Sequence, residues 1–231
     1  MTTTLITGGT KGLGRETARR LLEHGHTVYI AARDPERGRT AADELGARFL
    51  QLDVTDDDSV LAAAGQLGDD AAALDVLVNN AGIAGRLRSP AGTPAGDLRE
   101  VYETNVFGVV RMMHAFLPLL DRSGAPVVVN VSSGMGSLAI TTDPTRFEST
   151  LHGLAYPSSK SAVNMLTTQY AKALPRLRVN AVDPGYTATD LNGHQGTRTV
   201  EQGAEIIVRA ALTAPDGPTG AFLDTDGTVP W

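Results

Sequence analysis

The chain of 231 residues is 42% hydrophobic and 20% charged, enough for one α/β domain with a sizeable core. Its net charge of -6 disfavours a nucleic-acid groove or an anionic membrane as main partner, because both select clustered positive charge, and leaves small molecules or proteins. With no cysteine, disulfides, thiolate metal sites and cysteine nucleophiles are excluded together, and the five histidines show no ligand spacing, so no metal is expected.

The first strand is "TTLIT", Thr3 to Thr7, with an apolar run too short for a secretion signal. A turn, "TGGTKGLG", leads into a helix over 14–23 that Gly25 stops. "TVYIAA" over 27–32 is the second strand, after which Asp34 and Pro35 read as the N-cap and first position of another helix. There follow a strand "ARFLQLDV" over 47–54, a helix over 56–67, a strand "LDVLVNN" over 74–80 and a long helix over 97–117. The strand "PVVVNVSS" over 126–133 precedes a helix over 155–174, then "LRVNAVD" over 177–183, a helix over 200–212 and "GAFLDTD" over 220–226. Most strands are apolar on successive positions, as strands covered on both faces are. The alternation predicts a doubly wound (Rossmann) parallel sheet of seven strands with helices on both faces. No repeat, linker or charge block divides residues 1–231, and one domain is expected. No stretch approaches the ~18 apolar residues of a membrane span, so a cytoplasmic protein is the default.

Two local patterns carry chemistry. Glycines at Gly8, Gly12 and Gly14 free the first turn to approach a pyrophosphate at a helix N-terminus, although their spacing is G-x-x-x-G-x-G and not G-x-G-x-x-G. In "AYPSSK", Tyr156 and Lys160 stand four apart and share a helical face. Pro157 suits a first helical turn and holds the preceding tyrosine at the mouth of the helix. On most helices such a pair is an ordinary surface feature, so the rest of the chain has to decide.

The ordered set "TGxxxGxG", "LDV" at 52–54, "NNAG" at 79–82, "TN" at 104–105, "NVSS" at 130–133, "YPSSK" at 156–160 and "PGYTAT" at 184–189 resembles the short-chain dehydrogenase/reductase family over most of the chain. Within it, "ARDPERG", "LDVLVNNAGIA" and the terminal "VPW" are most similar to the carbonyl reductases. The resemblance implies a catalytic set of Ser133, Tyr156, Lys160 and Asn105. Tyr156 would pass a proton to the substrate oxygen, Ser133 would bind that oxygen, and Asn105 would hold a water beside Lys160. Ser132 is the rival of Ser133, which is preferred because the family's serine takes the second place of the pair. An ammonium ~4 Å from the phenol at an effective dielectric of about 20 is worth roughly 4 kcal/mol, enough to bring a pKa near 10 toward neutrality.

The resemblance further implies dinucleotide contacts from Gly8, Thr10, Lys11, Gly12, Leu13 and Gly14 of the first turn. Asp53, Asn79 and Gly82 fall around the adenine and its ribose, and Thr189 by the nicotinamide amide. Val54, Asn80, Ala81, Pro184, Gly185 and Thr187 are further expected cofactor contacts, with Tyr156 and Lys160. Cofactor choice turns on the end of strand two. Asp34 lies at the distance of an NAD-selecting acid, but it reads better as a helix cap, and the family's selecting position holds Ala32 followed by Arg33. Arg33 can grip a 2′-phosphate, with Lys11 and Arg37 adding charge, so NADP(H) is expected over NAD(H).

Residues 134–155 form a connection longer than is usual in the family and shorter than the insertion of the animal carbonyl reductases. Phe147, Leu151, His152 and Leu154 either line a substrate pocket or belong to a surface flap. The short stretch 186–199, a lid in the family, suggests an open site with loose selectivity. A monomer or homodimer is favoured over a tetramer, because the insertion lies beside a helix through which relatives associate. The leading function is reduction of aldehydes or ketones, and the alternative is a nucleotide-sensing regulator without catalysis, which has no need of the four catalytic groups together.

Overall fold

A computed structural model describes residues 2–86 and 88–231. Seven strands form one sheet in the order β3-β2-β1-β4-β5-β6-β7, with every neighbouring pair parallel. They are β1 (Thr3–Thr7), β2 (Thr27–Ala32), β3 (Arg48–Gln51), β4 (Val76–Asn79), β5 (Val127–Val131), β6 (Arg178–Val182) and β7 (Phe222–Leu223). Successive strand residues point to opposite faces, and consecutive apolar residues therefore feed two cores. Leu5, Leu77, Val128 and Val179 pack on one face with Met112, Phe116 and Val163, whereas Ile6, Val78, Val129 and Val182 pack on the other with Leu21 and Ile207.

The helices sort between these faces. α1 (Gly12–Glu23), α2 (Pro35–Leu45) and α8 (Val200–Ala211) cover the second core, while α3 (Asp57–Asp70), α5 (Gly108–Leu120) and α7 (Ala155–Ala173) cover the first. Between α3 and α5 lies α4 (Ala95–Tyr102), and between β5 and α7 the short α6 (Leu138–Thr142). Among the described residues no helix is long and apolar enough to cross a membrane.

Strand order reverses at β1, because the chain winds outward through β2 and β3 and then returns to build β4 on the other side. Ligand crevices of open α/β sheets lie at the carboxyl edge of such a switch point. The observed strands stop short of the predicted ones at that edge. After β3 the Asp53 carboxylate accepts from the Thr55 amide and hydroxyl at 2.9 and 2.7 Å, which turns the chain out of the sheet. After β7 the Asp224 carboxylate accepts from the amides of Asp226 and Gly227 at 2.8 and 2.9 Å and does the same.

The helix expected over 97–117 is not continuous. Glu103–Phe107 form a π-helical turn between α4 and α5, and Asn105 sits buried within it. The wider turn redirects a side chain that a straight helix would present elsewhere, a use typical of single π turns. Asn105 Oδ1 accepts from the Ile83 amide at 2.8 Å, and its Nδ2 donates to the Ile83 carbonyl at 2.9 Å and to Ser159 Oγ at 3.0 Å.

Candidate active site

A cleft of about 1430 Å3 runs along the carboxyl edge of the sheet. One end is the turn after β1. Gly8 and Gly12 adopt φ of 65° and 53°, and a Cβ at Gly14 would lie 2.5 Å from the Gly8 carbonyl oxygen, so α1 approaches the turn as only glycine permits. No side chain caps α1 and its first turn holds no acid, which leaves amides and the positive end of the helix facing the cleft. Asn80 braces the turn, its Nδ2 donating to the carbonyls of Thr7 and Gly8 at 2.8 and 3.2 Å. This uncapped cradle fits a pyrophosphate.

The cleft wall includes Thr10, Lys11, Leu13, Arg33, Asp53, Val54, Asn80, Ala81, Gly82, Pro184, Gly185, Thr187 and Thr189, all expected to meet a dinucleotide. Two expected residues are placed elsewhere. Asn79 is buried under the wall, its Nδ2 donating to Asn130 Oδ1 at 2.8 Å. Arg37 lies outside the lining, 3.5 Å from Asp34, because its place on α2 points it away from the cleft. Asp34 caps α2 by accepting from the amides of Glu36 and Arg37 at 3.0 and 3.1 Å. Lys11 reaches across the cleft to Asp190 at 2.5 Å, and Asp190 also meets His194 at 2.8 Å. The stretch 186–199 is therefore not a loose edge. It folds back through a bridge between Thr187 and Arg198 and touches the glycine turn.

At the other end, β5, α7 and the turn after β6 converge. The two serines after β5 point in different directions. Ser132 donates inward to Asn164 Oδ1 at 2.6 Å and is buried, whereas Ser133 lines the cleft with Tyr156 and its Oγ accepts from the Met135 amide at 3.2 Å. Tyr156 stands in the first turn of α7, partly open to the cleft. Burial pushes its phenol up to about 12, against the downward pull of the Ser133 hydrogen bond and with a further upward push from the Asp183 carboxylate. Lys160 is buried, and loss of water lowers its ammonium to about 8. Its Nζ donates to the Val131 carbonyl at 2.8 Å and stands 5.6 Å from the centroid of the Tyr156 ring. The expected lowering of the phenol by an adjacent ammonium is thus absent here. The last carbonyl of β5 accepts a hydrogen bond from the lysine ammonium, and desolvation governs the tyrosine. Asn105 Oδ1 and Lys160 Nζ both approach Gly82, where a Cβ would lie 3.3 and 3.6 Å from them.

Two carboxylates at this end were not singled out from the sequence. Asp183 directly follows β6, is buried, and accepts from the Gly185 amide at 2.9 Å, while burial raises its carboxyl above the usual range. The acid directly after a central buried strand was the available signal, since ligands sit at strand carboxyl ends. Glu148 comes from the connection 134–155, whose course no periodicity announces. Of the apolar residues there, Phe147, Leu151 and Leu154 line the cleft, as does His152.

The sequence profile of the short chain dehydrogenases matches residues 2–199. Short-chain dehydrogenase anuI of Penicillium roqueforti is 37% identical over 239 residues, spanning 97% of this chain and 94% of the relative. Carbonyl reductase (NADPH) 1 of Pongo abelii is 34% identical over 273 residues, spanning 98% and 97%; the alignment exceeds the 231 residues here, so the relative carries inserted residues. Among solved structures, NADPH-bound carbonyl reductase from chicken fatty liver superposes with a TM-score of 0.87 at 27% identity over 99% of this chain and 98% of that one. Salutaridine reductase from Papaver somniferum gives 0.84 at 30% identity over 96% and 99%. Matched by the family profile over residues 2–199 and by relatives 34–37% identical along nearly their whole length, the chain belongs to the short-chain dehydrogenase/reductase family, close to the carbonyl reductases, and is an oxidoreductase of carbonyl and alcohol substrates.

Proposed function

We propose that the protein is an NADP(H)-dependent reductase of aldehydes or ketones, with Ser133, Tyr156, Lys160 and Asn105 as its catalytic set. The observation that carries this reading is the convergence of Ser133, Tyr156 and Lys160 on one end of a cleft whose other end is the uncapped glycine cradle. Thr10 to Gly14 would hold the pyrophosphate and Lys160 the nicotinamide ribose. When bound, the dinucleotide supplies the hydride that reduces the carbonyl carbon.

The chain's own groups manage the oxygen. Ser133 donates a hydrogen bond to it, stabilising the negative charge that grows there. Tyr156 gives it a proton, completing the alcohol. A phenol held at about 12 is protonated at neutral pH and ready as a donor. Asn105 fixes Ile83 and Ser159 beside Gly82 and would hold a water next to Lys160.

Arg33 supports NADP(H). Among the described residues it makes no hydrogen bond or ion pair, it is exposed, and it lines the adenine end of the cleft. Asp34 is occupied as a helix cap, and the β2 end offers Ala32 in place of an acid that would accept from a ribose hydroxyl. The relatives whose names specify NADPH point the same way. The test is the absorbance of NADPH during incubation with a panel of reactive aldehydes and ketones. Steady oxidation with several of them is expected, and none across a broad panel would favour a nucleotide-binding regulator.

A further inference from the structure

The substrate end of the cleft has a chemistry beyond the reacting groups. Phe147 and Tyr186 are exposed at 56% and 38%, and their rings stand 5.9 Å apart at 41° on opposite segments of the cleft wall. Glu148, next to Phe147 in the chain, lines the same wall. Its side chain is only 23% exposed, yet its carboxylate accepts no hydrogen bond among the described residues. Arg146 Nε approaches it no closer than 3.6 Å, beyond hydrogen-bonding distance. That pair is a loose, half-exposed ion pair with no hydrogen bond, so it contributes little and leaves the carboxylate able to take a second cation.

Glu148 is also placed against the reacting groups. A Cβ at Gly134, the residue after Ser133, would lie 3.2 Å from Glu148 Oε1 and 3.0 Å from Asp183 Oδ2, so the two acids flank the same turn. Of the cations at this end besides Arg146, Arg88 is bound to Asp97 at 2.9 Å, Arg86 is exposed to solvent and Lys160 donates to the Val131 carbonyl at 2.8 Å. The wall beside Ser133 therefore presents negative charge and aromatic faces together, the combination that holds an ammonium by charge and by ring quadrupole.

We infer that this cleft selects carbonyl substrates bearing a cationic ammonium group, seated between the Glu148 carboxylate and the Phe147–Tyr186 ring pair. The inference rests on the reductase reading above and names its substrate class. Glu148 acts as the specificity-determining residue and takes no part in the proton or hydride steps.

The test uses two aldehydes of the same shape, (4-formylbenzyl)trimethylammonium and 4-neopentylbenzaldehyde, which differ by a charged nitrogen in place of carbon. With NADPH, kcat/KM should favour the cation by about tenfold, and Glu148→Gln should bring the ratio near one. Because the readout is a ratio, a variant that merely folds less well lowers both terms alike. Reduction of both aldehydes with equal or lower preference for the cation, or a ratio unchanged by Glu148→Gln, overturns the inference and leaves the reductase reading standing. If neither aldehyde is reduced, that reading fails for these probes, and calorimetric titration with benzyltrimethylammonium decides the site alone. Binding weakened about tenfold by Glu148→Gln supports it, and absent or unchanged binding overturns it.

Discussion

Ser132 and Ser133 differ by one position and by everything that matters for chemistry. The strand period sends the first inward to Asn164 and the second into the cleft beside Tyr156. Tyr156→Phe removes only the hydroxyl, and steady-state kinetics should show turnover lower by at least about 100-fold with cofactor affinity little changed. Near-normal turnover would remove Tyr156 as the donor. At the adenine end, Ala32→Asp with Arg33→Leu exchanges a phosphate partner for a carboxylate that accepts from a ribose hydroxyl. The unmodified protein should favour NADP(H) by at least about tenfold in kcat/KM, a difference of about 1.4 kcal/mol, and the double variant should shift toward NAD(H). Equal use of both cofactors by the unmodified protein makes Arg33 a bystander.

Elements bring these residues together through irregularities. The π turn at Glu103–Phe107 points Asn105 at Ile83 and Ser159, tying the segment after β4 to the first turns of α7. Asn105→Ala leaves the Ile83 amide and carbonyl without that partner. The expected cost is about 1–3 kcal/mol, or a fall in Tm of roughly 2–4 °C for each kcal/mol. Scanning calorimetry checks this, and an unchanged Tm would show that the amide does not hold the turn. α7 is positioned from its other side by the turn after Ser133, where a Cβ at Gly136 would lie 2.6 Å from the Lys160 backbone. The tyrosine-lysine helix and the serine turn are thus packed as one unit, at a distance that only glycine allows.

Across the whole molecule, burial of Lys160 links folding to pH. Its ammonium falls from 10.5 to about 8 in the folded protein. Between those values the unfolded chain binds more protons, so this group makes stability rise with pH through that window. Above pH 10 the Tyr156 phenol, raised from 10.0 to about 12, works in the opposite sense, because there the folded chain binds more protons. Urea unfolding of the cofactor-free protein should therefore show a rise from pH 8 to 10 that Lys160→Met removes; parallel profiles would contradict it. For assembly we expect a monomer or dimer, and a tetramer by light scattering at micromolar concentration would refute that.

The sequence by itself determined the sheet, the glycine cradle and the tyrosine-lysine helix. Strands buried on both faces must be apolar at successive positions, and a chain reversing over a phosphate must carry glycine, so local chemistry writes both features plainly. Asp34 was legible as a cap for the same reason, because a cap is made with residues two and three positions away. What the tertiary structure alone decided involves partners far apart in the chain. Lys11 meets Asp190 across 179 positions, Asn105 meets Ser159 across 54, and Lys160 donates a hydrogen bond to the Val131 carbonyl across 29. Glu148 and Asp183 come to one turn from separate segments. No period or spacing encodes such meetings, because they are set by where the sheet edge ends and by which buried groups still need a partner.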